Sequence, residues 1–243
     1  MRVGLIADIH GNLAALDAVL AELETIRLDE IVCLGDVAVG PQPGATLDRI
    51  EALGLPVVCG NWDAWFVGAI PKLEGELGPR LAEIGAWGAA QLTDGHREYV
   101  RSFRPTYPLV LAGDSSLLCF HGSPRSNEDW MDAATPADEL ELMLAGSDEV
   151  VLAGGHTHAQ LLRCHRDSLL VNPGSVGLPF RQQPGPIRIG RWAEYAVVAA
   201  VAGRLTVELR RVSYDVDSFL DEARVSGMPH ADWWIGCWNG EDS

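Results

Sequence analysis

The sequence predicts an α/β fold, and three observations carry that prediction. Short apolar runs recur at Met1–Ala7, Glu30–Leu34 and Pro56–Gly60. Segments with helically spaced apolar residues lie between them, and each run closes on Gly, Asp or Asn. Strand, helix and strand in succession form the βαβ unit, with parallel strands and a right-handed crossover. The 243 residues, 47% of them hydrophobic, suffice for a large core, so a single domain over 1–243 is expected.

Met1–Ala7 carries β-branched residues without polar alternation, the pattern of a strand buried on both faces. Asp8 and His10 follow it. Side chains two apart in an extended segment point the same way, so the pair can converge just past the strand, where open α/β sheets place their ligands. Gly11 frees the backbone to turn, and Leu13–Leu28 reads as a helix with the stripe Leu16, Val19, Leu20 and Leu23. Glu30–Leu34 is the second strand and delivers Gly35-Asp36. Residues 37–44 are a turn-rich loop, and Ala45–Leu53 is a short helix stopped by Gly54. The third run delivers Asn61, Trp62 and Asp63. Turn chemistry explains any one of these ends. It does not explain a metal-capable side chain at every one.

Residues 64–108 read as a helical excursion packed over one rim of the site, with apolar spacing through Leu81, Ile84 and Trp87 and a further turn or two in His96–Phe103. His96 suits a surface or helix cap. Trp62, Trp65, Phe66 and Trp87 suit core packing, with the floor of a pocket for an aromatic base as the alternative. The strand pattern returns at Ser116–Phe120, which presents His121. A helix over Pro136–Leu144 leads to Glu149–Ala153, followed by Gly154-Gly155-His156-Thr157-His158. His156 and His158 repeat the two-residue spacing of Asp8 and His10; they can grip one metal or lie across two, with Thr157 turned away. The strand Leu169–Asn172 runs into a Gly-rich turn through Ser175 to Gly177, whose amides could face a phosphate or back the histidine loop. His165, within a strand pattern, reads as structural or exposed.

The charge balance is acidic, with 18 Lys and Arg against 34 Asp and Glu and a formal charge of −16. No basic run offers the footprint a nucleic acid needs, so nucleic acid is not an expected partner. The five cysteines never form a CxxC and read as small buried thiols of a reducing compartment. No secretory signal pattern opens the chain, and no apolar stretch approaches the roughly 20 residues that span a bilayer. The expected location is cytoplasmic.

Asp8, His10, Asp36, Asn61, His121, His156 and His158 exceed what one tetrahedral zinc needs. They suit two divalent ions roughly 3.5–4 Å apart that share a carboxylate, with Asp36 as the natural bridge. So many imidazoles disfavour magnesium, while manganese, iron, cobalt, nickel or zinc fits; manganese is the expected ion. Such a pair can acidify a bridging water and clamp phosphoryl oxygens during in-line attack, without a side-chain nucleophile.

The ordered blocks Asp8-Ile-His10, Gly35-Asp36, Gly60-Asn61-Trp62-Asp63, His121-Gly122 and Gly155-His156-Thr157-His158 resemble the signature of the calcineurin-like metallophosphoesterases, over residues 1 to about 211. The Asn172-Pro-Gly-Ser175 turn resembles their small bacterial and archaeal phosphodiesterase branch. The resemblance implies a four-layer α-β-β-α sandwich of two packed mixed sheets, with Glu194–Val201 and Arg204–Val212 in the second sheet. It further implies Asp8, His10 and His158 on one metal, Asn61, His121 and His156 on the other, and Asp36 between them. Asp36, Asn61, Asp63 and His121 are then the catalytic set, Asp63 by supporting the loop or the ligands.

Trp62 departs from the pattern of the family's phosphomonoesterases and protein phosphatases, which place a histidine there to protonate the leaving group. Indole cannot do so, and an acid worth about 10²–10⁴ in rate is missing. Phosphodiester hydrolysis of a small phosphorylated substrate is therefore expected, with a dinucleoside polyphosphate hydrolase or protein phosphatase as alternatives. A metal-stabilised binding or scaffolding protein is the non-enzymatic rival.

Asn12, Arg125 and Arg181 are candidates for binding the substrate anion, Asn12 at a helix start and the arginines in loops that follow the ligand motifs. The plainer alternative is that each arginine pairs with one of the many carboxylates. Tyr214–Arg224 reads as a last amphipathic helix, and the aromatic stretch from Asp232 to Trp238 and beyond is expected to pack on the body. A homo-oligomer interface is its alternative use.

Overall fold

In the computed structural model, which describes residues 1–113, 115–180 and 187–239, strand β1 (Arg2–Ile6) is covered on both faces. Val3, Leu5 and Ala7 pack between two sheets, while Ile6 belongs to the layer beneath the helices. That explains the run's lack of polar alternation. Helix α1 (Leu13–Glu24) is N-capped by Asn12, whose side chain accepts from the Ala15 N–H. It stops at Thr25, short of the expected Leu28. Strand β2 (Glu30–Cys33) pairs in parallel with β1, as the βαβ reading requires.

Helix α2 (Pro43–Leu53) starts two residues earlier than expected because proline is accommodated in a first turn; it ends on Gly54 in the left-handed region. The third apolar run forms only isolated parallel bridges, Cys33 with Val57 and Val58 with Arg104. Helices α3 (Asn61–Val67), α4 (Gly78–Gln91) and α5 (Asp94–Arg101) make up the excursion.

The second sheet runs β3 (Tyr107–Ala112), β4 (Ser115–Cys119), β5 (Val151–Ala153), β7 (Ser168–Asn172), β6 (Leu161–His165). Its inner pairs β4–β5 and β5–β7 are parallel and its outer pairs antiparallel. Helix α6 (Ala137–Met143) covers its outer face through Leu140, packed with Phe120, Leu152 and Leu170. The expected placement of the last two strands needs correction. β8 (Ala193–Val201) and β9 (Arg204–Val212) join the first sheet, in the order β2-β1-β8-β9, because β8 pairs antiparallel with the free edge of β1. Helices α1, α2, α7 (Val216–Val225) and α8 (Ala231–Asn239) contribute to the cluster that covers this sheet's outer face. The layers are helix, sheet, sheet, helix, with both sheets mixed. Trp234, Ile235, Cys237 and Trp238 of α8 are buried within the chain.

The thiols depart from expectation: Cys33, Cys119 and Cys237 are buried, but Cys59 is half-buried and Cys164 exposed. Alternation along β6 turns Cys164 outward. Among the described residues, no helix is long and apolar enough to cross a membrane.

Candidate metal centre

Two groups of side chains that could hold a cation form where the strand ends meet: Asp8, His10 and His158, and beside them Asp36, His121 and His156. The first draws on the ends of β1 and β5, the second on those of β2, β4 and β5. The convergence does not follow from strand pleating. Asp8, His10, Asp36, His156 and His158 all have positive φ, between 50° and 68°, so each sits in a left-handed turn. Asp and His tolerate this region better than most residues, yet each such residue stores about 1–3 kcal/mol that the surroundings must offset. Strain concentrated on five of seven candidate ligands is the pattern of a functional site.

Each carboxylate spends one oxygen on the backbone and turns the other toward imidazoles. Asp8 Oδ2 accepts from the His156 N–H at 3.0 Å and Asp36 Oδ1 from the Trp62 N–H at 2.9 Å. Asp8 Oδ1 is buried and has no hydrogen-bond partner, with His158 Nε2 at 3.4 Å and His10 Nε2 at 3.8 Å. Asp36 Oδ2 lies 3.4 Å from His121 Nε2 and 3.9 Å from His10 Nε2, a position that reaches toward both groups. His121 Nδ1 is 2.7 Å from the Leu34 carbonyl and His158 Nδ1 2.8 Å from the Leu178 carbonyl. A carbonyl only accepts, so both Nδ1 atoms donate and both Nε2 atoms face the centre. His121 Nε2 there meets Asn61 Oδ1 at 3.1 Å, and His158 Nε2 meets His10 Nε2 at 3.0 Å. An orphaned carboxylate oxygen, imidazoles oriented by carbonyls and an amide oxygen make a donor set that suits divalent cations.

The electrostatics agree. Burial alone would raise the Asp8 pKa, but His158, His10 and His121 outweigh it and hold the carboxyl below its ordinary value. Asp36 is likewise held well below the carboxylate range, burial being overcome chiefly by His121. Burial pulls His121 down, yet Asp36 and then Asp8 push it up to about 10. His158 is lowered to about 4 and His156 is also lowered, in both cases mainly by burial.

Asp63 faces the backbone. Its Oδ2 accepts from the N–H groups of Asp36 at 2.7 Å and Gly60 at 2.9 Å, and its Oδ1 from Val37 at 3.0 Å, tying two ligand loops together. Gly60 is required there, since a Cβ would collide with Asp36 Oδ1. The 172–177 turn backs the histidine loop: Asn172 Nδ2 donates to the Gly155 carbonyl and Thr157 Oγ1, and Ser175 Oγ donates to the Asp8 carbonyl. Thr157 thus turns away from the ligands. His96 caps α5 and pairs with Asp48.

Two of the three anion-binding candidates are not brought to the centre. Asn12 is buried, capping α1 and donating to the Gly177 carbonyl and Tyr214 Oη. Arg125 is exposed on Asp129, with Nε 2.6 Å from Oδ2, and does not line the cavity at the ligands. Arg181 lies outside the described residues.

That cavity, of about 260 Å³, has His10, Asp36, Asn61, His156 and His158 on its polar side. Its apolar side carries Trp62, Trp130, Phe180 and Trp234, with Leu81 and Ile84 from α4. Of the four aromatic residues proposed from the sequence, only Trp62 lines it; Phe66 is core, and Trp65 stacks edge-on against Trp62 at 4.8 Å. Trp130 and Phe180 escaped the sequence reading because neither adjoins a ligand motif, and Trp234 belongs to the aromatic stretch expected to pack on the body. Phe180 stacks on His158 at 4.3 Å and 23°, Trp130 meets His156 edge-on at 5.5 Å, and α8 carries Trp234 in from the end of the chain.

Comparison with known proteins converges on one family. Residues 1–193, which hold all seven candidate ligands, match the family model of the calcineurin-like phosphoesterase superfamily domain. An uncharacterized protein of Methanocaldococcus jannaschii is 25% identical over 247 residues, covering 96% of this chain and 95% of its own. Among solved structures, a metallophosphoesterase from Sphaerobacter thermophilus is 27% identical, with a TM-score of 0.72 over 98% of each chain. A hypothetical protein from Pyrococcus horikoshii OT3 shares the fold with a TM-score of 0.80 at 21% identity, over 100% of this chain and 99% of its own.

Proposed function

Because the chain belongs to the calcineurin-like phosphoesterase superfamily, a family of metal-dependent phosphoric ester hydrolases, we propose that it hydrolyses phosphodiesters with two divalent ions. The observation that carries this reading is the pair of three-ligand groups around the unpartnered Asp8 Oδ1, on a cavity whose lining is also rich in aromatic residues. Asp8, His10 and His158 would hold one ion, Asn61, His121 and His156 the other, and Asp36 would reach both. Two divalent ions so held would supply the positive charge that draws phosphoryl oxygens in and makes a water nucleophilic at neutral pH. Manganese is the favoured ion, with iron, cobalt, nickel and zinc compatible with the imidazole-rich set.

The residues of this chain account for the rest. Hydrolysis forms one P–O bond from water and breaks one to the leaving alcohol, which departs as its anion and takes a proton from solvent. Trp62 stands on the cavity wall where a proton donor would be useful, and its indole cannot donate one to an alkoxide. Acidic leaving groups are therefore favoured. No lysine or arginine is among the described residues lining the cavity, so no side-chain cation described there adds to the charge of the two ions to meet the second charge of a monoester dianion. A monoanionic diester matches that balance better. Asp63 acts as a positioning residue that holds Asp36 and the Asn61 loop in register.

The experiment is metal reconstitution, with stoichiometry measured, followed by a panel of diesters and matched monoesters in manganese. Two ions per chain and a higher kcat/KM for diesters are expected. A higher kcat/KM for alkyl monoesters would overturn the diester reading, and catalytic silence across the panel would favour the binding or scaffolding role.

A further inference from the structure

Trp130 takes no part in the hydrophobic clusters of the described residues and is 49% exposed, so core packing does not account for its place on the cavity wall. It is nevertheless held. Its indole N–H donates to Asp132 Oδ2 at 3.1 Å, and Asp132 Oδ1 is fixed in turn by the N–H groups of Ala134 at 2.7 Å and Thr135 at 2.9 Å. Its edge meets His156 of the candidate centre. A rigid aromatic that retains so much exposure is preorganised for a ligand.

The rest of the cavity points to the ligand's chemistry. Trp62, Phe180 and Trp234 supply further aromatic surface, and the described lining residues include no lysine or arginine to meet an anionic substituent. Size sets the scale. A cavity of about 150 Å³ accommodates benzene, so about 260 Å³ leaves room for one ring beside a phosphoryl group. From these observations we infer that the aromatic lining that includes Trp130 is a subsite for one neutral planar ring, carried as a substituent of the phosphodiester. The inference rests on the diesterase reading and names the substrate class for that same site. A simple aryl group and a pyrimidine base share this chemistry.

Binding to the metal-reconstituted full-length protein tests the subsite separately from turnover. Three monoanions whose only ester leaving groups are poor alkoxides serve as probes in calorimetric titrations, with the recovered probe checked for cleavage: methyl methylphosphonate, methyl phenylphosphonate and thymidine 5′-methylphosphonate. At least one ring-bearing probe should bind about tenfold or more tightly than methyl methylphosphonate, the discrimination that a buried apolar group provides. The tighter of the two identifies the source as aryl or nucleobase. Trp130→Ala should bring the ring probes to within about twofold of the methyl compound with metal content unchanged, while Trp130→Phe keeps part of the preference. Equal affinities for all three probes in the wild-type protein would overturn the subsite, and a preference that survives Trp130→Ala would overturn the assignment of Trp130. A ring preference without hydrolysis of any diester would sink the activity and leave the subsite standing, so the two failures are distinct.

Discussion

Substituting Asp63 by asparagine isolates the positioning role of a buried carboxylate that accepts from three backbone N–H groups. The three N–H groups it accepts come from Asp36, Val37 and Gly60, and the residue is essentially inaccessible. Asparagine keeps one oxygen. Its best orientation leaves that oxygen on Asp36 and Gly60, and points an amide NH₂ at the Val37 N–H. A buried donor then lacks an acceptor, at about 1–3 kcal/mol, and the two surviving bonds lose charge assistance, for a total of about 2–4 kcal/mol. For a chain of this length each kcal/mol moves Tm by about 2–4 °C, so Asp63→Asn should melt roughly 5–15 °C below the wild type. Because the same bonds fix the loops of Asp36 and Asn61, manganese affinity should fall about 10–100-fold. Differential scanning calorimetry of the metal-free chain and a manganese titration measure the two effects. If Tm and metal affinity both stay at wild-type values while turnover is lost, the positioning argument is wrong and Asp63 acts on the substrate itself.

Three further outcomes are expected. Asp36→Asn should cut kcat by about 10²-fold or more with the melting temperature largely kept, since it weakens the ligand that reaches both groups; circular dichroism melts beside a turnover assay check this, and near-native kcat would remove Asp36 from the centre. Metal binding should release protons near pH 7. Burial lowers the His121 pKa, but Asp36 and Asp8 raise it to about 10, so the ring carries a proton that ligation must expel, and affinity should rise with pH up to that value. Titrations in two buffers of different ionisation heat would give equal apparent enthalpies if no proton were released. Arg125→Ala should leave kcat/KM for diesters within about twofold, because the guanidinium is exposed on Asp129 and outside the cavity; a tenfold loss in the same assay would return Arg125 to the substrate.

Much of the site was legible in the residues alone because its signals are local. An apolar run closing on Asp8 and His10, on Asp36, on Asn61 or on His156 and His158 is a pattern within a dozen residues, and the strand ends with the start of α3 bring these side chains together. The α/β class, the βαβ start and the helical excursion rest on the same short-range periodicity. The tertiary structure decided what depends on contacts far apart in sequence. β8 pairs with β1 across almost 200 residues, and nothing in the pattern of Glu194–Val201 states which free edge it will meet. The left-handed turns at five candidate ligands replaced the strand pleat as the cause of their convergence, since φ is imposed by surrounding hydrogen bonds and not by spacing. The tautomers of His121 and His158 follow from the carbonyls of Leu34 and Leu178, and Arg125 and Asn12 were claimed by nearer partners than a phosphate. The aromatic lining belongs mostly to this second kind of information: Trp62 stands beside a ligand motif, but Trp62, Trp130, Phe180 and Trp234 come from four separated segments that only folding brings to one cavity.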